Sequence, residues 1–83
     1  MNTKHQKMYV SVIACYDIDG NITPQKVVWK NNIIYAIDKI TQKIPAASLK
    51  SGGYGMRYTC VIGGHVRYLY LEENRWFIEK RDP

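Results

Sequence analysis

Residues 57–80 read RYTCVIGGHVRYLYLEENRWFIEK, and how this stretch divides decides the fold. Gly63-Gly64 and Glu73-Asn74 each separate runs rich in β-branched and aromatic residues, the pattern of strands joined by two-residue hairpin turns. Both glycines accept positive φ, so the first turn is the firmer of the two. A turn at Gly63-Gly64 sets Met56 opposite Leu71 and Tyr58 opposite Leu69 on one side of the sheet. It sets Arg57 opposite Tyr70 and Thr59 opposite Tyr68 on the other. A turn at Glu73-Asn74 then sets Leu71 opposite Trp76 and Leu69 opposite Ile78. Both turns collect Met56, Tyr58, Cys60, Leu69, Leu71, Trp76 and Ile78 on one face, which identifies a core face. The opposite face carries Arg57, Thr59, Tyr68, Tyr70, Arg75, Phe77 and Glu79, with Glu72 across from Arg75 as an expected surface ion pair.

Working outward, MYVSVIACYD (8–17) reads as a strand that ends in the turn signal Asp17-Ile18-Asp19-Gly20-Asn21. Pro24 cannot donate to a ladder and marks the start of the next segment. Asn31-Asn32 lies between two β-branched runs. A two-residue turn there pairs Trp29 with Ile34 and Val28 with Tyr35. Ile33, Ile37, Ile40 and Ile44 also recur at helical spacing, and an asparagine can cap a helix. The wealth of β-branched residues favours a strand with a bulge over 33–44. PAASLKSGGYG (45–55) reads as a loop with room for one helical turn.

The whole is expected to be all-β, a small, highly curved barrel or sandwich of about five or six antiparallel strands. It comprises a flexible tail over 1–7, one domain over 8–80 and a C-terminal tail over 81–83. A chain of 83 residues buries only roughly 60–65% of its unfolded surface, which suffices for one modest core. Its 46% apolar and 23% charged residues are those of a folded domain rather than a disordered chain. No run approaches the length of a membrane span and the polar start lacks a signal-type apolar core, so a cytoplasmic protein is expected.

The segments Val28-Trp29-Lys30-Asn31-Asn32, Tyr35-Ala36-Ile37-Asp38, Gly52-Gly53-Tyr54-Gly55-Met56-Arg57-Tyr58, Leu69-Tyr70-Leu71-Glu72 and Arg75-Trp76-Phe77 together resemble a group of small uncharacterised bacterial proteins, frequent in Firmicutes. The resemblance covers nearly the whole chain and implies an SH3-like β-barrel. It carries over no catalytic residue. Asn31-Asn32 stands where glycine is frequent in that group, which leaves the turn type open.

Functional signals are few. Asp17-Ile18-Asp19-Gly20-Asn21 begins like a calcium loop, but such a loop needs glycine sixth and glutamate twelfth. Here Gly20 is fourth and Val28 twelfth. Lys50-Ser51-Gly52-Gly53-Tyr54-Gly55 lacks the spacing and the helix of a phosphate-binding loop. His5 and His65 lie sixty positions apart, and Cys15 and Cys60 forty-five, so neither a metal site nor a disulfide framework is indicated. No nucleophile, base and orienting group converge, and a non-enzymatic module without cofactor or metal is expected.

The net charge of +5 comes from twelve Lys and Arg against seven Asp and Glu, at a sequence pI near 9.3, and invites a polyanion partner. The basic residues are scattered rather than clustered. The candidate binding face is therefore the aromatic and basic set Arg57, Tyr68, Tyr70, Arg75 and Phe77. It is expected to meet a protein or peptide partner, since interface centres favour these residue types. Nucleic acid is the alternative, with bases on the rings and phosphates on the arginines. No membrane partner is expected, and the chain reads as a monomer or homodimer.

Overall fold

The computed structural model describes residues 5–46 and 55–81. It contains seven strands: β1 (His5–Tyr16), β2 (Ile22–Val28), β3 (Ile34–Ala36), β4 (Lys39–Pro45), β5 (Met56–Ile62), β6 (His65–Glu72) and β7 (Arg75–Arg81). They form one antiparallel sheet in the order β3-β2-β1-β7-β6-β5-β4, curled into a half-barrel. The expectation of a small all-β, barrel-like domain is met, with no helix among the described residues. None there, accordingly, is long and apolar enough to cross a membrane. The helical turn allowed for within 45–55 falls largely outside the described residues. His5 and Arg81, both expected in tails, are instead paired strand residues of β1 and β7, while residues 1–4, 82 and 83 lie outside the described residues.

The two hairpins of the 57–80 stretch have the expected registers. Met56 pairs with Leu71 and Tyr58 with Leu69, and Leu71 pairs with Trp76. Both turns use left-handed backbone at both central positions, with φ 57° and 81° at Gly63 and Gly64 and 51° and 65° at Glu73 and Asn74. That is the hairpin turn whose twist matches the flanking strands. The expected continuation to Leu69 and Ile78 is not part of the ladder, which ends at Tyr70 and Phe77. Beyond that point β7 follows β1 as far as the His5–Arg81 pair.

Segment 33–44 is extended, and it is two strands, which raises the count from the expected five or six to seven. The chain breaks between Ala36 and Lys39. The Ile37 amide donates to Gln25 of β2 at 2.9 Å and the Asp38 amide to Val61 of β5 at 2.8 Å. One peptide unit thus hands the chain from one border of the sheet to the other, which is what curls it. The expected bulge lies in β4, where the register skips Thr41 between Ile40 and Gln42. A second irregularity sits in β2 beside Pro24, which lies inside the strand opposite Ala14 rather than before it. A bulge is where a residue without an N–H does least damage to a ladder.

The β2–β3 turn is longer than expected by one residue. Trp29 donates to Ile33 at 2.8 Å, Asn32 donates back to Trp29 at 2.8 Å, and Asn32 has φ 65°. Three residues, Lys30 to Asn32, therefore form the loop. Asparagine takes the left-handed position that ends such loops, and the Asn31 side chain accepts from the Ile33 amide at 3.2 Å. Val28 consequently pairs with Ile34 and Val27 with Tyr35. A slip of one residue moves each side chain to the other face, so Tyr35 lands beside buried Val27 instead of beside Val28.

The interior gathers Val27, Tyr58, Cys60, Leu69, Leu71 and Trp76, with Met56, Ile78, Val10, Val12 and others packed around them. Every residue of the expected core face is in this cluster. Tyr58 crosses the interior. Its ring leans on Trp76 at a centroid distance of 5.5 Å, and its hydroxyl donates to the Ile22 carbonyl of β2 at 2.5 Å. Burial pushes the Tyr58 phenol above its usual pKa, and burial pushes the Cys60 thiol up to about 11.

Two outcomes follow from this interior. Tyr58→Phe leaves the Ile22 carbonyl without its donor and should lower unfolding free energy by about 1–2 kcal/mol, read from urea denaturation. Because the folded state favours the protonated phenol, wild-type stability should hold below the phenol's usual pKa and fall as pH rises through the higher folded value. In Tyr58→Phe that alkaline loss should be smaller. In a thiol-reagent assay the exposed Cys15 should react promptly, while Cys60 should stay unmodified until the protein is unfolded.

Candidate functional site

The expected face does assemble. Arg57 pairs with Tyr70 and Tyr70 with Phe77, so these residues share the outer surface of the sheet, as register demands. What the sequence did not reveal is that β1 adds to it. Tyr9 pairs with Phe77 and Lys7 with Glu79, and together they roof the ring that was expected to be open.

Phe77 is 0% exposed. Tyr70 stacks on it at 5.1 Å with 4° between the planes. Tyr9 meets it edge-on at 5.6 Å, and the Lys7 ammonium lies 4.8 Å from its centroid. Phe77 is thus the centre of a second, outer core and is corrected from a binding residue to a packing residue. The cations are similarly committed. The Arg75 guanidinium lies 3.7 Å from the Tyr9 ring centroid. That of Arg57 lies 4.8 Å from Tyr68 and donates to Gln42 Oε1 at 3.2 Å.

Glu72, expected at the surface opposite Arg75, is only 9% exposed and forms its ion pair with Lys7 at 3.2 Å. Gly55 makes this burial possible, since a Cβ there would stand 2.6 Å from Glu72 Cγ and 2.9 Å from the Leu71 carbonyl oxygen. Desolvation works against the Lys7 charge, but the hydrogen bond and charge of Glu72 outweigh it and raise the Lys7 pKa. Tyr70 is likewise raised, first by desolvation and then by the charge and hydrogen bond of Glu79, against the opposing pull of Arg57.

On the other side of the sheet the half-barrel leaves an open groove of about 420 Å³ between the β2–β3 and β5–β6 hairpins. Val27, Leu69 and Ile78 line it from the strands and Trp29, Tyr35 and Ile62 from the hairpins, with His65, Arg67 and Tyr68 on the β6 side. Of the five expected site residues only Tyr68 borders it. Sequence reasoning missed Tyr35 here because a two-residue Asn31-Asn32 turn aims it the other way. No local signal separates the two loops, since asparagine suits the left-handed positions of both.

The Asp17 carboxylate is engaged within its own turn. Asp17 Oδ1 accepts from the amides of Asp19 and Asn21, both at 2.9 Å, and Oδ2 from the Asn21 side chain at 3.3 Å. The backbone hydrogen bond from Asn21 contributes most to lowering the Asp17 pKa. Among the described residues no group of three His, Cys, Asp or Glu is placed to hold a metal ion.

The outer face yields a clear expectation. Phe77→Ala should cost about 3–5 kcal/mol in urea denaturation, whereas Arg75→Ala at the exposed Tyr9 contact should cost no more than about 1 kcal/mol. Equal and small effects would mean that the outer face is not packed.

Comparison with protein-family models, curated proteins and solved structures finds no match for this chain.

Proposed function

We propose that this chain is a non-enzymatic binding module that takes a protein or peptide segment in the groove between its β2–β3 and β5–β6 hairpins. The observation that carries this reading is the lining of the groove. It is mainly aliphatic and aromatic, with Tyr35 and Tyr68 both strongly exposed at its margin. Sites that hold ligands are concave and mostly apolar with a few polar groups, and tyrosine and tryptophan are the side chains that anchor protein contacts. Besides the two tyrosines, the titratable groups in the lining are His65 and Arg67, and the lining holds no cysteine, the Cys60 thiol being buried and held protonated.

Nucleic acid is the weaker reading because two of the expected rings are packed together and the third, Tyr68, though exposed, already carries a cation. Phe77 is sealed, Tyr70 lies against it, and Arg57 covers Tyr68. A base stacking on Tyr68 gains about 1–3 kcal/mol but displaces a cation–π contact of about 0.5–1 kcal/mol. The net gain on this ring is smaller by that amount.

Selection of a random peptide library against the immobilised protein, with Tyr35→Asp as counter-target, tests the reading. Enrichment of peptides that bind wild type, lose at least tenfold affinity for Tyr35→Asp and change the fluorescence of Trp29 is expected. No enrichment, together with single-stranded DNA binding that survives near-physiological salt and is abolished by Arg57→Ala, would reverse the order of the two readings.

A further inference from the structure

From the way the sheet splits beside the groove, we infer that the partner is an extended, acidic segment that adds as a strand to the open edge of β6 at Val66–Tyr68. This rests on the groove being the binding surface, as proposed above.

The β6–β7 ladder comprises Tyr70 with Phe77, Leu71 with Trp76 and Glu72 with Arg75. Past it the strands part company. Residues 65–69 of β6 continue along β5 as far as the Ile62–His65 pair, and residues 78–81 of β7 continue along β1. A seam opens between them, and the groove lies in it, with Leu69 on one bank and Ile78 on the other.

The direction of the backbone groups on β6 follows from the hairpin. A two-residue turn at Gly63-Gly64 makes Ile62 and His65 a hydrogen-bonded pair, and antiparallel ladders alternate. His65, Arg67 and Leu69 therefore exchange bonds with β5, while Val66 and Tyr68 aim their N–H and C=O groups into the seam. One detail supports this polarity. The Val66 carbonyl accepts from the guanidinium of its own neighbour, Arg67, at 2.9 Å, a side chain standing where a strand partner would.

An open edge carrying large apolar side chains is unusual, because native sheets blunt such edges with charge, proline or cover. Here Val66 is 56% and Tyr68 49% exposed. The five residues 65–69 span roughly 17 Å at about 3.3–3.4 Å each, the length of a typical short strand. A strand laid along them would hydrogen-bond to Val66 and Tyr68 and drop alternate side chains into the groove, the geometry of strand addition.

Charge selects the occupant. Apart from the phenols of Tyr35 and Tyr68, the ionisable groups lining the groove are His65 and Arg67, with no carboxylate among them. Asp38, close by, is engaged by the Gly63 amide at 2.9 Å, and Glu79 on β7 is held by Tyr70. The chain as a whole carries +5. A second copy would bring the same excess of positive charge to a basic margin, so an acidic peptide is favoured over self-pairing.

The test uses the full chain and a fluorescein-labelled octapeptide alternating Asp or Glu with Ile or Val. In the free protein, hydrogen exchange by NMR should be faster at the Val66 and Tyr68 amides than at Arg67 and Leu69. The peptide should bind by anisotropy and protect those two amides. N-methylation of the peptide backbone at alternate positions should weaken binding at least tenfold with side chains unchanged. Replacing its acids by lysine, or Arg67→Glu in the protein, should do the same. Val66→Pro should also abolish binding while leaving the β5–β6 ladder intact, since only a seam-facing N–H is lost.

Equal protection of all four amides in the free protein would show a closed seam and overturn the inference. Concentration-dependent protection without peptide would give the edge to a second copy and overturn it equally. Library-selected peptides that occupy the groove but tolerate N-methylation and leave Val66 and Tyr68 unprotected would sink strand addition while sparing the binding-module reading. If no peptide binds in either experiment, both fall.

Discussion

The Tyr58 hydroxyl, donating across the interior to the Ile22 carbonyl, is the constraint on which this half-barrel depends. A single curled sheet has no second layer to close over its concave side, so its own strands must be held across the gap. Tyr58 does this from β5 to β2 with a ring wide enough to fill the space and a polar tip that reaches a backbone acceptor. A buried hydroxyl without a partner costs about 1–3 kcal/mol, so the phenol and the carbonyl each require the other. The neighbouring crossing at Ile37 and Asp38, whose amides bond to opposite borders of the sheet, is the covalent counterpart of the same closure.

The outer surface meets its own difficulty differently. A sheet curled around one core exposes its convex side, and this chain covers it with aromatic rings topped by cations: Lys7 over Phe77, Arg75 over Tyr9 and Arg57 over Tyr68. Amphipathic side chains lay apolar stems on the rings while their charges meet solvent. The chemistry that looks like a recognition face in one dimension is, in three, the arrangement by which the sheet buries its second side. The concave side keeps an open groove, the surface proposed above for a partner, where the rings of Trp29 and Tyr35 line the opening.

Curvature also explains why the groove and the seam coincide. The β6–β7 pair starts at a tight turn and diverges after three residue pairs, because β7 must stay with β1 while β6 stays with β5. Strong curling in a small sheet cannot keep every ladder intact, and the cost is concentrated where these two directions separate. There the groove opens, with Leu69 and Ile78 on the two banks.

Local rules were sufficient for the β5–β6–β7 hairpins. Two-residue turns set register from adjacent residues alone, so the core face from Met56 to Ile78 and the shared outer position of Arg57, Tyr70 and Phe77 were legible in the sequence, as was the extended nature of 33–44. The turn at Asn31-Asn32 misled by one residue, since asparagine suits two-residue and three-residue loops alike, and that slip hid Tyr35. The burial of Phe77 was beyond local reading because its roof, Tyr9 and Lys7, lies nearly seventy positions away on a strand whose partner no turn specifies. The sequence by itself thus determined strands, hairpins and the alternation of faces, all consequences of neighbours in the chain. Tertiary structure alone decided which face is sealed, where the sheet splits and which rings remain free, because curvature and long-range pairing are properties of the closed sheet and not of any segment of it.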